Sequence, residues 1–199
     1  MTNPLILASA SQVRSEMLSN AGVNFETQPV KIDEDTIKAS LTAESAKPRD
    51  IADALAEYKA QRAGSKHPTS LVLGSDQVLD FQGELFSKPK DKYEACQHLS
   101  RLSGQRHTLY SAAVMYQDLK PVWRAVSKST LHMRPLTEGF IENYVSDTWD
   151  DIRHCVGCYQ IEGKGVQLFS RLEGDQFTIM GLPLLEILGY LRAIGHMKQ

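Results

Sequence analysis

An apolar strand that ends in an acid, Leu71-Val72-Leu73-Gly74-Ser75-Asp76-Gln77-Val78, constrains this chain more than any other segment. Three large apolar residues in a row read as a buried strand. A carboxylate directly behind such a strand has few structural uses beyond capping a turn. The next segment, Phe81-Gln82-Gly83-Glu84-Leu85, reads as a hairpin turn and leads to Ser87-Lys88-Pro89. An acid delivered from a strand with a lysine close behind it can build a site for polyphosphate and metal in a small α/β protein.

The rest of the chain alternates short strands with helical patterns. Leu5-Ile6-Leu7-Ala8 reads as a buried strand that stops at Ser9-Ala10-Ser11, which cap a helix over 12–21. A strand-like alternation over 25–32 runs into the acidic cluster Asp33-Glu34-Asp35, and the small polar residues 39–48 read as a loop, with a helical turn admitted. A helix over 49–63 precedes the central strand, and a second follows it over 92–102. Residues 105–133 read as an antiparallel strand pair around Asp118-Leu119-Lys120-Pro121. Thr137 caps a helix over 137–146, and Gly181-Leu182-Pro183 opens a C-terminal helix with proline near its first position. This order mixes βα units with hairpins, so the expected fold class is α/β, with a mixed, partly antiparallel sheet flanked by helices. No internal repeat interrupts it, and a single domain over 1–199 is expected.

With 199 residues, 42% of them hydrophobic, the chain can bury a real core. A net charge of −2 gives no overall attraction to a nucleic-acid polymer. A small anion is a different matter, because a few local cations can hold it. No apolar run approaches the roughly 18–20 residues of a membrane span, and Met1-Thr2-Asn3-Pro4 leads into too short an apolar run for a secretory signal. A cytoplasmic location, without a membrane partner, is expected.

Cys155-Val156-Gly157-Cys158 has the C-x-x-C spacing of half a zinc site or a redox pair. The histidines nearby lack the spacing of further ligands, and the surrounding residues read as loop and strand, so the pair is read as small core or loop residues in reduced form. The chain has no phosphate loop, dinucleotide fingerprint, H-E-x-x-H or nucleophile elbow.

Hydrolysis of a phosphoanhydride needs cationic side chains, backbone N–H groups at a helix start and a divalent cation held by carboxylates. Each has candidates. Ser9 and Ser11 stand between the first strand and helix, and Arg14 lies in that helix's first turn. Glu34 and Asp76 are carboxylates behind strands, and Lys59 and Lys88 are candidate phosphate contacts. Each has a plainer reading as cap, solvated charge or exposed lysine. Asp76 is the residue for which function outweighs structure.

At these residues the chain resembles the Maf family of nucleotide pyrophosphatases. The segment from Leu5 to Arg14 is similar to the family's S-x-S-P-R-R region, and Gly74-Ser75-Asp76-Gln77-Val78 to its G-[AS]-D-[TQ]-[VI] segment. Lys88-Pro89 matches its K-P motif, Gly157 to Gly163 its G-x-Y-x-I-[QE]-G, and Gly181-Leu182-Pro183-Leu184 its V-G-L-P-L. The matches fall in order along nearly the whole chain.

The resemblance implies a Maf/ITPase-like fold of two lobes around a deep cleft. It also implies hydrolysis of a nucleoside triphosphate to the monophosphate and pyrophosphate with Mg²⁺ or Mn²⁺. Carried onto this sequence, Asp76, Lys88 and Glu34 are catalytic, and Glu34 and Asp76 hold the metal. Ser9, Ser11, Arg14, Lys59, Gln77 and Glu162 contact the substrate. An ordinary aspartate, with a pKa of about 3.9, is a weak base, so water acidified by the metal is the preferred nucleophile. Gln12-Val13 replaces the usual Pro-Arg and leaves one arginine of two. Gln77 and Glu162 lean towards the 7-methyl-GTP branch, because a carboxylate can accept from the N–H edge of guanine; dTTP or UTP is the alternative. The competing class is a nucleotide-binding regulatory protein without catalysis. The expected partner is a small nucleotide, with a homodimer admitted.

Overall fold

The computed structural model describes residues 5–198, so the N-terminal reading of Met1 to Pro4 falls outside the described residues. Seven strands form one sheet in the order β2 (Phe25–Thr27), β1 (Leu5–Leu7), β3 (Val72–Phe81), β5 (Arg106–Gln117), β6 (Lys120–Met133) and β7 (Phe169–Glu173), with β4 (Glu84–Phe86) also paired to β3. The chain divides into two compact units, and the division falls inside the three long strands β3, β5 and β6.

The first unit comprises Met1–Gln77, Ser111–Ser127 and Gly181–Gln199. It holds β1 (Leu5–Leu7), α1 (Gln12–Asn20), β2 (Phe25–Thr27), α2 (Glu34–Ala43), α3 (Pro48–Gly64) and α7 (Leu184–Ala193). It also holds parts of β3 (Val72–Phe81), β5 (Arg106–Gln117) and β6 (Lys120–Met133). β1 runs parallel to β2, with Leu5 opposite Phe25, and parallel to β3, with Ile6 opposite Val72. Leu5, Leu7, Leu18, Ile51, Leu55 and Leu73 are fully buried.

In the second unit, Val78–Tyr110 and Lys128–Met180, the remainder of β3 pairs antiparallel with β4 (Glu84–Phe86), and β6 pairs antiparallel with β7 (Phe169–Glu173). The helices here are α4 (Lys92–Leu102), α5 (Glu138–Ile152) and α6 (Gln176–Met180). Leu79, Phe86, Leu99, Leu102, Leu109, Leu131 and Ile141 form the centre of its core. The sheet is thus mixed and flanked by helices, as the element order predicts.

Five local readings change. The strand over 25–32 shrinks to Phe25–Thr27, and the loop over 39–48 is largely helix. Asp33 accepts a hydrogen bond from the Thr36 N–H at 3.1 Å, and Glu34 and Asp35 stand in the first turn, where carboxylates favour the helix dipole. The acidic cluster is therefore a helix start. The helix capped by Thr137 runs on to Ile152, and the cysteine segment is a series of turns without a strand, with the Cys158 N–H donating to the Cys155 carbonyl at 3.2 Å. Cys96, Cys155 and Cys158 are free thiols.

Candidate active site

Asp76 does not end its strand. It is the fifth residue of the ten in β3, and Gly74 lies two positions before it, so both residues face the same side of the sheet. The long helix α3 crosses that side. Its inward row is Ala52, Ala56, Ala60 and Ala63, all buried, and small side chains at this spacing let a helix approach a strand closely. At Gly74 the approach is closest. A Cβ there would stand 2.2 Å from the Ala56 carbonyl oxygen and 2.5 Å from the Ala60 nitrogen, so only glycine fits.

This close packing places Lys59 on Asp76. The Lys59 ammonium donates to Asp76 Oδ1 at 2.6 Å and lies 2.7 Å from Glu34 Oε1. One oxygen from each carboxylate meets one buried cation. Lys59 is 8% exposed and Asp76 4% exposed. Asp76 Oδ2 is also buried and has no hydrogen-bond partner among the described residues. A buried carboxylate oxygen left unpaired costs free energy, so this atom is suited to a proton, a water or a cation that arrives with a ligand.

Arg14, on α1, supplies a second buried cation. Its Nε donates to the Gly181 carbonyl at 2.8 Å, and one terminal nitrogen donates to Ser75 O at 3.1 Å and to Ser9 Oγ at 3.3 Å. Burial pulls the guanidinium below its ordinary pKa, against the opposing pull of Asp76 and Glu34. Ser9 also accepts from the Ser11 N–H at 3.2 Å, and Ser11 caps α1 by accepting from the Arg14 N–H. The serines thus build the turn and hold the arginine. Gln77 donates to Ser111 Oγ at 3.0 Å.

Seven of the nine candidates therefore lie in the first unit: Ser9, Ser11, Arg14, Glu34, Lys59, Asp76 and Gln77. Lys88 and Glu162 belong to the second unit, where both are exposed. There burial, opposed by a hydrogen bond with Gln160 and by Lys88 and assisted by Glu162, pushes the Cys155 thiol up to about 11. The C-x-x-C thiol therefore stands within electrostatic reach of both remaining candidates.

Two site-building residues escaped the sequence reading. Gly74 was part of a motif, yet its service to α3 is visible only against Ala56 and Ala60; the signal was an alanine every fourth residue in the preceding helix. Gly181, with φ of +105°, aims its carbonyl at Arg14, and a Cβ there would stand 3.4 Å from the guanidinium. A left-handed backbone of this kind favours glycine.

As to a metal, no group of three or more histidine, cysteine or acidic side chains clusters among the described residues. Glu34 and Asp76 are a pair. Magnesium is commonly held by one or two carboxylates with water and substrate phosphates completing the shell, and Glu34 Oε1 and Asp76 Oδ1, which converge on the Lys59 ammonium, fit that use.

Comparison with known proteins assigns the chain to a family. The model of the family described as Maf-like protein matches residues 4–194. A nucleoside triphosphate pyrophosphatase of Ruegeria pomeroyi is 53% identical over 195 residues, 98% of each chain. Nucleoside triphosphate pyrophosphatase 1 of Jannaschia sp. is 54% identical over 96% of each. A 7-methyl-GTP pyrophosphatase of Rhizobium etli is 47% identical over 98% of each. With a family match of this extent and relatives this similar, the chain belongs to the Maf family.

Proposed function

We propose that this chain hydrolyses a nucleoside triphosphate to the monophosphate and pyrophosphate, with Asp76 as the base. The observation that carries the reading is the unpaired, buried Asp76 Oδ2 beside two buried cations, Lys59 and Arg14. A base needs a free lone pair aimed at a water, and triphosphate hydrolysis needs positive charge around it. The names of the similar Ruegeria and Jannaschia proteins support the same reaction.

In this reading Asp76 Oδ2 takes the proton of the attacking water. Arg14 and Lys59 neutralise phosphate charge, and Ser9 and Ser11 keep Arg14 and the start of α1 in place. Lys88 is assigned to the departing pyrophosphate. Glu34 and Asp76 would hold Mg²⁺ or Mn²⁺, which when bound supplies a more acidic water and a positive charge for the phosphates. Gln77 and Glu162 are assigned to the base. A carboxylate at Glu162 suits the N–H edge of guanine and a cationic methylated ring, so 7-methyl-GTP is the favoured substrate. The Rhizobium etli relative supports this choice.

Release of pyrophosphate from 7-methyl-GTP, GTP, dTTP and UTP, each with and without Mg²⁺ or Mn²⁺, tests the reading. Release that is fastest with 7-methyl-GTP and dependent on the cation is expected. Preference for dTTP or UTP would overturn the assignment of the base, and no release from any nucleotide would overturn the reaction.

A further inference from the structure

The Lys59 ammonium occupies the position between Glu34 and Asp76 that a metal held by those two carboxylates would contest. We infer that Lys59 is a placeholder cation: it neutralises the two carboxylates in the free protein and releases them when a divalent cation arrives, becoming available to the phosphates. The inference rests on the metal-assisted reading above.

Charge balance motivates it. In the free protein, two carboxylates, Glu34 and Asp76, stand with two buried cations, Lys59 and Arg14, so the group is formally neutral. Without Lys59 the buried Asp76 and the half-buried Glu34 would repel each other, which is costly. A divalent cation supplies that neutralisation more strongly than an ammonium does. Once the cation is bound, the group carries a net positive charge, which matches a polyphosphate.

Geometry agrees. Lys59 uses Asp76 Oδ1 alone and leaves Oδ2 without a partner. A lysine is suited to an exchange of this kind, because its ammonium is a point charge on a flexible stem. Arg14 is not: two backbone carbonyls and a serine hold its guanidinium. One cation is therefore fixed and the other exchangeable.

The test is Mn²⁺ binding to the chelator-treated protein in the absence of nucleotide, followed by the loss of the free Mn²⁺ signal in electron paramagnetic resonance. Lys59→Met should bind Mn²⁺ more tightly than the parent chain, by about tenfold or more, and should bind nucleotide more weakly. Equal or weaker Mn²⁺ binding by a folded Lys59→Met protein overturns the inference. A second measurement needs no variant. In the parent chain labelled with ¹⁵N-lysine, the buried Lys59 ammonium resonance should shift or vanish on addition of Mg²⁺, and an unmoved resonance overturns the inference. The two readings fail separately. Tighter Mn²⁺ binding by Lys59→Met without pyrophosphate release from either protein leaves the exchange standing and removes the reaction. Metal-dependent release with no gain in Mn²⁺ affinity does the reverse.

Discussion

Lys59 reaches Asp76 because Gly74 lets it. The glycine stands two residues before the acid on one face of β3, and the backbone of α3 at Ala56 and Ala60 fills the space that its side chain would take. The 2.6 Å ion pair is therefore a consequence of helix-to-strand distance.

Gly74→Ala should thus damage stability and site together. Forcing a methyl group into that contact should cost about 1–3 kcal/mol, or a fall in Tm of roughly 2–12 °C at this chain length. Displacing Lys59 by a fraction of an ångström to one ångström should lower kcat by up to about 100-fold. Thermal unfolding and steady-state kinetics on one preparation check both. A drop in Tm with kcat unchanged would show that α3 shifts without disturbing the pair.

Asp76→Asn keeps the shape and removes the base. Pyrophosphate release should fall by about 10²–10⁴-fold, while nucleotide binding measured by calorimetry survives. Turnover close to that of the parent chain would take Asp76 out of the mechanism.

Arg14→Lys is not a conservative change, because a lysine cannot donate in the forked pattern that joins Gly181 O, Ser75 O and Ser9 Oγ. Leaving buried carbonyls without that donor should cost about 1–3 kcal/mol. The KM for the triphosphate should also rise, by about tenfold on the proposed reading. An unchanged Tm would argue that the arginine is held by less than the geometry indicates.

Acid should weaken the second unit through His107. Its ring bonds the Tyr159 hydroxyl at 2.7 Å, and burial, assisted by the neighbouring His132, lowers its pKa from 6.5 to about 4. The folded state therefore resists a proton that the unfolded state accepts. The stabilisation is complete above pH 6.5 and is lost as pH falls towards 4. The loss amounts to about 3 kcal/mol at most. Tm measured across this window should fall with decreasing pH, and His107→Gln, which can keep a bond to Tyr159, should flatten the slope. An equal slope in both proteins would assign the acid sensitivity to other groups.

Much of the first unit's site was legible residue by residue. Ser11 as a cap, Asp76 as a carboxylate in a place with few structural uses, and Arg14 in the first turn were each visible from local pattern, because capping and strand burial depend on neighbours in sequence. Glu34 was found for a mistaken reason. The local pattern reads as an acid behind a strand, whereas the residue opens a helix capped by Asp33. Its approach to Lys59 depends on how α2 and α3 meet, which no local pattern reports.

The sequence by itself determined the mixed α/β class, most of the order of strands and helices, the hairpin positions and most of the charged residues of the site. These follow from hydrophobic period, turn chemistry and residue type, all of which act over a few residues. The tertiary structure decided which charges meet. It put Asp76 in the middle of β3, set Lys59 on both carboxylates and left Asp76 Oδ2 unpaired. The physical reason is that pairing buried charges depends on the distance between packed elements, and at this site that distance is set by the absence of a side chain at Gly74.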